Sequence, residues 1–275
     1  MLKQRLIYGA LGVILAIAVI TLCPSYIIGI CVGVLSLIAL GEFYTVTGLW
    51  GKKSPSTIAG MLFCAMCTIF AVLRSSASIN LIAYCIIALV FALMVSMVLF
   101  HGKFSFADAA ISLMGTVYIT VFFLHVLFVR QLEFGKILIW VLFIPAWATD
   151  TFAYFCGRAF GKHKLCPSVS PKKTVEGAIC GVVGCMICVM LYVYIIAKAC
   201  GMQANLANAA LLALAASVFS QFGDLAASCI KREYGVKDYG NLIPGHGGIL
   251  DRFDSAILIA PLIYYMLSTL PILFR

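Results

Sequence analysis

Residues 174–198 read TVEGAICGVVGCMICVMLYVYIIAK, and no charged side chain stands between Glu176 and Lys198. About 20 predominantly apolar residues, wound as a helix, cross the roughly 30 Å hydrocarbon core of a bilayer. The same reading extends outward to eight further runs, at 5–23, 25–48, 56–73, 79–100, 107–129, 136–157, 205–231 and 254–273. Of the 275 residues, 64% are hydrophobic and 11% charged, with a mean hydropathy of +1.11. A soluble domain is about half apolar and a quarter charged, so little chain remains for one here. The expected fold is all-α: a polytopic integral membrane helical bundle of about nine transmembrane helices.

The net charge of +9 raises nucleic-acid binding as a function, but its distribution argues for topology instead. With nine spans, Arg74, Arg130, Lys136, Lys198 and Arg275 fall on one side, and the other fourteen of the 19 Lys and Arg on the other. Cytoplasmic loops carry such an excess, which places the N-terminus and the basic loops in the cytoplasm and the C-terminus outside. Residues 1–23, with Lys3 and Arg5 ahead of an apolar stretch, resemble a signal peptide. That stretch is longer than a usual h-region, and Cys23-Pro24-Ser25 is a poor cleavage site, so an uncleaved first span is the better reading. Most of the twelve cysteines sit in apolar helices, where the thiol behaves as a small hydrophobe. Cys64-x2-Cys67 and Cys185-x2-Cys188 imitate zinc half-sites but lie in no tight loop and beside no histidine.

Two segments follow from this distribution. Residues 1–135 hold about five spans and little polarity beyond Glu42, Asp108, Arg130 and Glu133. They read as a scaffold with possible dimer contacts. Glu42 either lines the bundle interior or makes a structural hydrogen bond to a neighbouring helix. Residues 136–275 hold about four spans and two chemically rich cytoplasmic loops, 158–173 and 232–253.

Residues 224–254 contain Asp224-x3-Ser228-x2-Lys231-Arg232, then Lys237-Asp238, then Pro244-Gly-His246-Gly247-Gly248-Ile-Leu-Asp251-Arg252-Phe-Asp254. Charge is costly beside lipid, so this density marks a site. Asp224, Ser228, Lys231 and Arg232 share one helical face, Ser220 extending it a turn deeper. Asp251 and Asp254, three apart at a helix start, also share a face. One can serve as an N-cap, and Mg²⁺ sites take one or two carboxylates together with phosphate oxygens. Gly247 and Gly248 offer backbone N–H groups to an anion. His246 fits a phosphate donor or proton carrier and a structural hydrogen bond equally well. The earlier segment repeats the pattern with Asp150, Tyr154 and Arg158 on one face. Ser170-Pro171-Lys172-Lys173-Thr174-Val-Glu176 reads as a helix start that would present Lys172 and Lys173 to an anion at the helix N-terminus.

The run from Ser228 to Asp254 resembles the defining motif of the phosphatidate cytidylyltransferases, or CDP-diglyceride synthetases. Asp150-x2-Ala-Tyr154-Phe-x-Gly-Arg158 and Ser170-Pro-Lys-Lys-Thr-Val-Glu176-Gly are similar to that family's second region, so the resemblance covers about residues 140–258. It implies transfer of CMP from CTP to phosphatidic acid, giving CDP-diacylglycerol and pyrophosphate in phospholipid biosynthesis. It also implies a homodimer of multi-pass subunits in the inner cell membrane, one or two Mg²⁺ ions, and metal-binding aspartates at Asp224 and Asp251. Catalytic roles then fall to Asp224, Lys231, Arg232, Asp251, Arg252 and Asp254, with Asp254 a ligand or the group that orients Arg252. Substrate binding falls to Asp150, Tyr154, Arg158, Ser170, Lys172, Lys173, Thr174, Glu176, Ser228, Lys237, Asp238, His246, Gly247 and Gly248.

Intramembrane acids also suit a transporter, but here they cluster toward one side and no inverted repeat is visible. Another CTP-using lipid enzyme is a third class. The Asp-x2-Asp-Gly-x2-Ala-Arg run of CDP-alcohol phosphotransferases is absent.

Overall fold

The computed structural model describes residue 12 and residues 14–52, 55–73, 78–242, 245 and 247–274. Residues 14–22 are helical, and residues 5–11 and 13 of the expected first span lie outside the described residues. The helices that follow are α1 (Ser25–Val46), α2 (Pro55–Leu73), α3 (Ser78–Leu99), α4 (Phe106–Gln131), the single turn α5 (Gly135–Leu138), α6 (Trp140–Phe160), α7 (Val175–Cys200), α8 (Leu206–Glu233) and α9 (Leu250–Thr269). Among the described residues seven helical segments are long and apolar enough to cross a membrane, α5 and α6 counting as one. The chain is an all-α, multi-pass membrane protein, and the seven segments among the described residues do not confirm the expected count of about nine. The helix α9 stands outside the seven, with Asp251, Arg252 and Asp254 in its first turns.

Local chemistry sets the ends of these helices. Ser105 and Asp108 form a reciprocal capping box at α4: Ser105 N–H donates to Asp108 Oδ2 at 2.9 Å, and Asp108 N–H to Ser105 Oγ at 3.1 Å. Thr174 caps α7, its Oγ1 accepting from Gly177 N–H at 3.2 Å. Left-handed Gly201 closes the other end of α7.

Two expected elements differ from the structure. Residues 170–176 were read as a helix start, but Ser170–Thr174 is a strand, β2, antiparallel to β1 (Lys164–Cys166), and α7 begins only at Val175. Pro171 thus lies in a hairpin strand, and Lys172 and Lys173 stand ahead of the helix cap. Pairing with β1 gives the extended backbone partners that a helix start would not. The last span was expected at 254–273. It starts at Leu250, and Leu273–Phe274 (β4) pairs instead with Gln203–Ala204 (β3).

The described residues fall into two compact units. The first holds the chain up to Phe128 together with Tyr234–Phe253, and the second holds Val129–Glu233 with Asp254–Arg275. In the first, α1 packs on α2 and α4 through small residues. A Cβ at Gly115 would strike the Phe43 ring, and one at Gly60 the Tyr44 hydroxyl, which bonds Thr116 Oγ1 at 2.5 Å. In the second, α6 and α7 lie closest. Gly177, Gly181 and Gly184 form a strip on α7 facing Ala153, Thr149 and Phe152 of α6. Small residues let backbones approach where lipid supplies no hydrophobic drive for association.

Candidate active site

The close approach of α6 to α7 brings the hairpin β1–β2 over their shared end. A cavity of about 400 Å³ opens there, lined by Asp150, Tyr154 and Arg158 of α6, Lys164 of β1, and Lys172 and Lys173 of β2. Thr174, Gly177 and Gln221 also line it. Four cations therefore face one acid across an open space large enough for a polyphosphate. Arg158 Nη1 lies 3.4 Å from Tyr154 Oη, the contact expected of residues one turn apart.

Glu176 holds the hairpin in place. Its carboxylate accepts from Lys162 N–H at 3.1 Å, from His163 N–H at 3.2 Å, and contacts His163 Nδ1 at 2.6 Å. The loop leaving α6 is thus tied to the first turn of α7, and Glu176 serves the loop's backbone. The close fit at Gly157, Gly161 and Gly177, each crowding the Thr174 hydroxyl, locks the same corner.

Behind the cavity, α8 and α9 bring Asp224 and Asp254. Lys173 of the hairpin forms an ion pair with Asp224. At Gly223 a Cβ would sit 3.0 Å from the Asp254 carbonyl oxygen, so the backbone of α9 lies against α8 next to Asp224. Asp150, Asp224 and Asp254 are near enough to repel one another, and Lys173 and Lys231 offset that repulsion. Lys231 and Asp254 are buried, whereas Arg232 points to the exposed side of α8. Ser220, one turn below Asp224, is fully buried, and its hydroxyl has no hydrogen-bond partner among the described residues. Gln221 Nε2 reaches the Ala178 carbonyl at 3.3 Å, tying α8 to α7.

Residues of the 234–253 connection lie in the first unit. Asp251 is buried, and its Oδ2 accepts from Tyr239 N–H at 2.7 Å and Gly248 N–H at 3.0 Å. Gly247 has a φ of 84°, a conformation glycine adopts without strain, and presses on the same carboxylate. Lys237, Asp238 and Arg252 are exposed. His246 lies outside the described residues. Ser228 is half-buried on α8, and Ser170 opens β2 opposite Cys166.

The donors suit a hard divalent cation. No group of three or more His, Cys, Asp and Glu among the described residues is gathered closely enough to form a complete cage. The carboxylates of Asp150, Asp224 and Asp254 and the buried Ser220 hydroxyl are oxygen donors of the kind Mg²⁺ takes alongside water and phosphate, and the Lys173 ammonium on Asp224 would compete with such a cation. Sequence reasoning missed Lys164 and Gln221 as cavity residues. Lys164 lies in the chemically rich 158–173 loop but was not singled out within it, and a lone glutamine in an apolar helix was the signal for Gln221.

Residues 3–270 match the model of the cytidylyltransferase family. The chain is similar to the phosphatidate cytidylyltransferase of Staphylococcus haemolyticus, with 37% identity over 236 residues, 85% of this chain and 86% of that protein. It is 43% identical over 184 residues to that of Staphylococcus saprophyticus, covering 66% of this chain and 68% of the other. With that of Bacillus subtilis it shares 38% identity over 172 residues, 62% of each.

Proposed function

The chain belongs to the cytidylyltransferase family, and from that premise we propose that it transfers CMP from CTP to phosphatidic acid, giving CDP-diacylglycerol and pyrophosphate. The observation that carries this reading is the cavity in which Arg158, Lys164, Lys172 and Lys173 face Asp150 beside the Lys173–Asp224 pair. Phosphoryl chemistry between two anions needs positioning and charge neutralisation more than a strong base. An oxygen of the lipid phosphate attacks the α-phosphorus of CTP. The bond from that phosphorus to the oxygen bridging the β-phosphate breaks, and pyrophosphate leaves with the electron pair.

A phosphate monoester has a second ionisation near pH 6, so the attacking oxygen arrives largely deprotonated. No residue is needed to remove a proton. The four cavity cations draw in the phosphates and hold them against mutual repulsion, with Tyr154 beside Arg158 at the rim. Buried Lys231 answers the charge of Asp254, and exposed Arg232 and Arg252 stand where an anion approaches from water. Asp224 and Asp251 are the carboxylates assigned to one or two Mg²⁺ ions, which when bound would neutralise charge on the phosphate oxygens. Phosphatidic acid keeps its chains in the bilayer while CTP is in water, so the hairpin and both basic loops face the cytoplasm. A homodimer completes the proposal, and light scattering of the detergent-solubilised protein tests it.

The test of the reaction supplies α-labelled CTP, phosphatidic acid and Mg²⁺ to purified protein, with Asp224→Asn and Asp251→Asn alongside. The expected result is label in a lipid product, equimolar pyrophosphate, and loss of both in the variants. Folded protein that labels no lipid would refute the proposal. Exchange of label between CTP and pyrophosphate without lipid would refute direct displacement.

A further inference from the structure

Glu42 is an acid in an otherwise apolar helix, and the reaction as written does not use it. Its Oε1 accepts from Ile249 N–H at 2.9 Å and its Oε2 from Leu250 N–H at 2.9 Å. These are the amides that open α9, where a helix has N–H groups without partners of its own. A cap normally comes from the residue just before the helix, but here α1 supplies it across 207 positions of sequence. The fit is close: a Cβ at Gly248 would lie 2.5 Å from the Glu42 carboxylate, and one at Gly240 2.6 Å. Glycine stands at both positions because the carboxylate fills the space.

Asp251 works on the same segment from the other side. Its Oδ2 takes the amides of Tyr239 and Gly248, so the two carboxylates between them accept four backbone N–H groups, at residues 239, 248, 249 and 250. They are close enough to repel, which costs energy that capping alone would not require. The residues next to Glu42 fix its aim. Phe43 wedges against Gly115, and the Tyr44 hydroxyl bonds Thr116 Oγ1 at 2.5 Å and Ser112 Oγ at 3.3 Å. Rotation of α1 about its axis is thereby blocked.

We infer that Glu42 is a positioning residue for the reaction: by capping α9 from α1 it sets the place of Asp251. The inference rests on the cytidylyl-transfer reading and on Asp251 as a metal carboxylate. Loss of a group that orients a metal ligand costs about 10- to 100-fold in metal affinity or activity.

The experiment compares wild-type protein with Glu42→Gln, which keeps the size of the side chain but leaves one amide facing an N–H. Expected are a fall in kcat of about tenfold or more, a several-fold rise in the Mg²⁺ needed for half-maximal activity, and a KM for CTP within about twofold. Glu42→Gln also weakens Mn²⁺ binding in an electron paramagnetic resonance titration, while the melting temperature stays within about 2 °C. Gly248→Ala, which pushes on the same carboxylate, moves the Mg²⁺ requirement in the same direction. Wild-type kcat and Mg²⁺ dependence in Glu42→Gln would overturn the inference, as would a loss that follows the melting temperature alone. If wild-type protein labels no lipid, the functional reading fails, and the Mn²⁺ titration alone decides the inference: weaker binding supports it and unchanged binding overturns it.

Discussion

Replacing Lys173 by Met separates two effects that most site mutations confuse. Lys173 both lines the anion cavity and pairs with Asp224, so its loss should weaken one substrate and strengthen the hold on the cation. Around Asp224 the three carboxylates of Asp150, Asp224 and Asp254 face the two ammoniums of Lys173 and Lys231, a local sum of −1 that becomes −2 in the variant. A unit charge at about 4 Å is worth about 4 kcal/mol at an effective dielectric constant of 20. Lys173 and Asp224 are 26% and 28% exposed, so solvent screening reduces this to about 1–2 kcal/mol. That corresponds to about 5- to 30-fold. The expected outcome is a KM for CTP raised by that factor and a Mg²⁺ half-saturation that falls, with the side-chain volume largely kept. The assay is labelled CDP-diacylglycerol formation in mixed micelles, with CTP and Mg²⁺ varied independently. Lys173→Met with an unchanged KM for CTP, or with a higher Mg²⁺ requirement, would refute the reasoning.

Glu176→Gln should free the 161–166 loop while leaving the helices intact, because its carboxylate serves two loop amides and the His163 ring. Limited proteolysis should cut there faster than in wild type, with an unchanged melting temperature. Gly181→Val should lower the melting temperature by several degrees, because even a Cβ would lie 2.9 Å from the Thr149 carbonyl oxygen and overpacking costs about 1–3 kcal/mol. Thr174→Val keeps the shape but removes the acceptor for Gly177 N–H, and should destabilise by about 1 kcal/mol in thermal unfolding in detergent.

Much of the candidate site was legible because chemistry and spacing coincide within single helices. Asp150, Tyr154 and Arg158 were placed on one face by the helical period and do line one cavity. The same rule grouped Lys231 with Arg232, which the structure divides into a buried and an exposed side chain. Neighbouring positions differ by about 100° around a helix, so a broad stripe cannot say which edge faces the interior. The 170–176 segment was misread because Ser, Pro and Glu at that spacing are also helix-start signals. Only pairing with residues 164–166 selects the strand.

The sequence alone determined the class of fold and the position of most spans, because membrane insertion sums the transfer free energy of about 20 consecutive residues. That sum is local and can be read along the chain. The tertiary structure decided that Lys173 meets Asp224, that Gln221 and Lys164 join the cavity, and that Glu42 caps a helix 207 positions away. Such contacts depend on how closely the helix backbones approach, which the glycines on the packed faces permit and the facing side chains then fix. A hydropathy pattern specifies which segments lie in the bilayer, but carries no information about which polar group finds which partner.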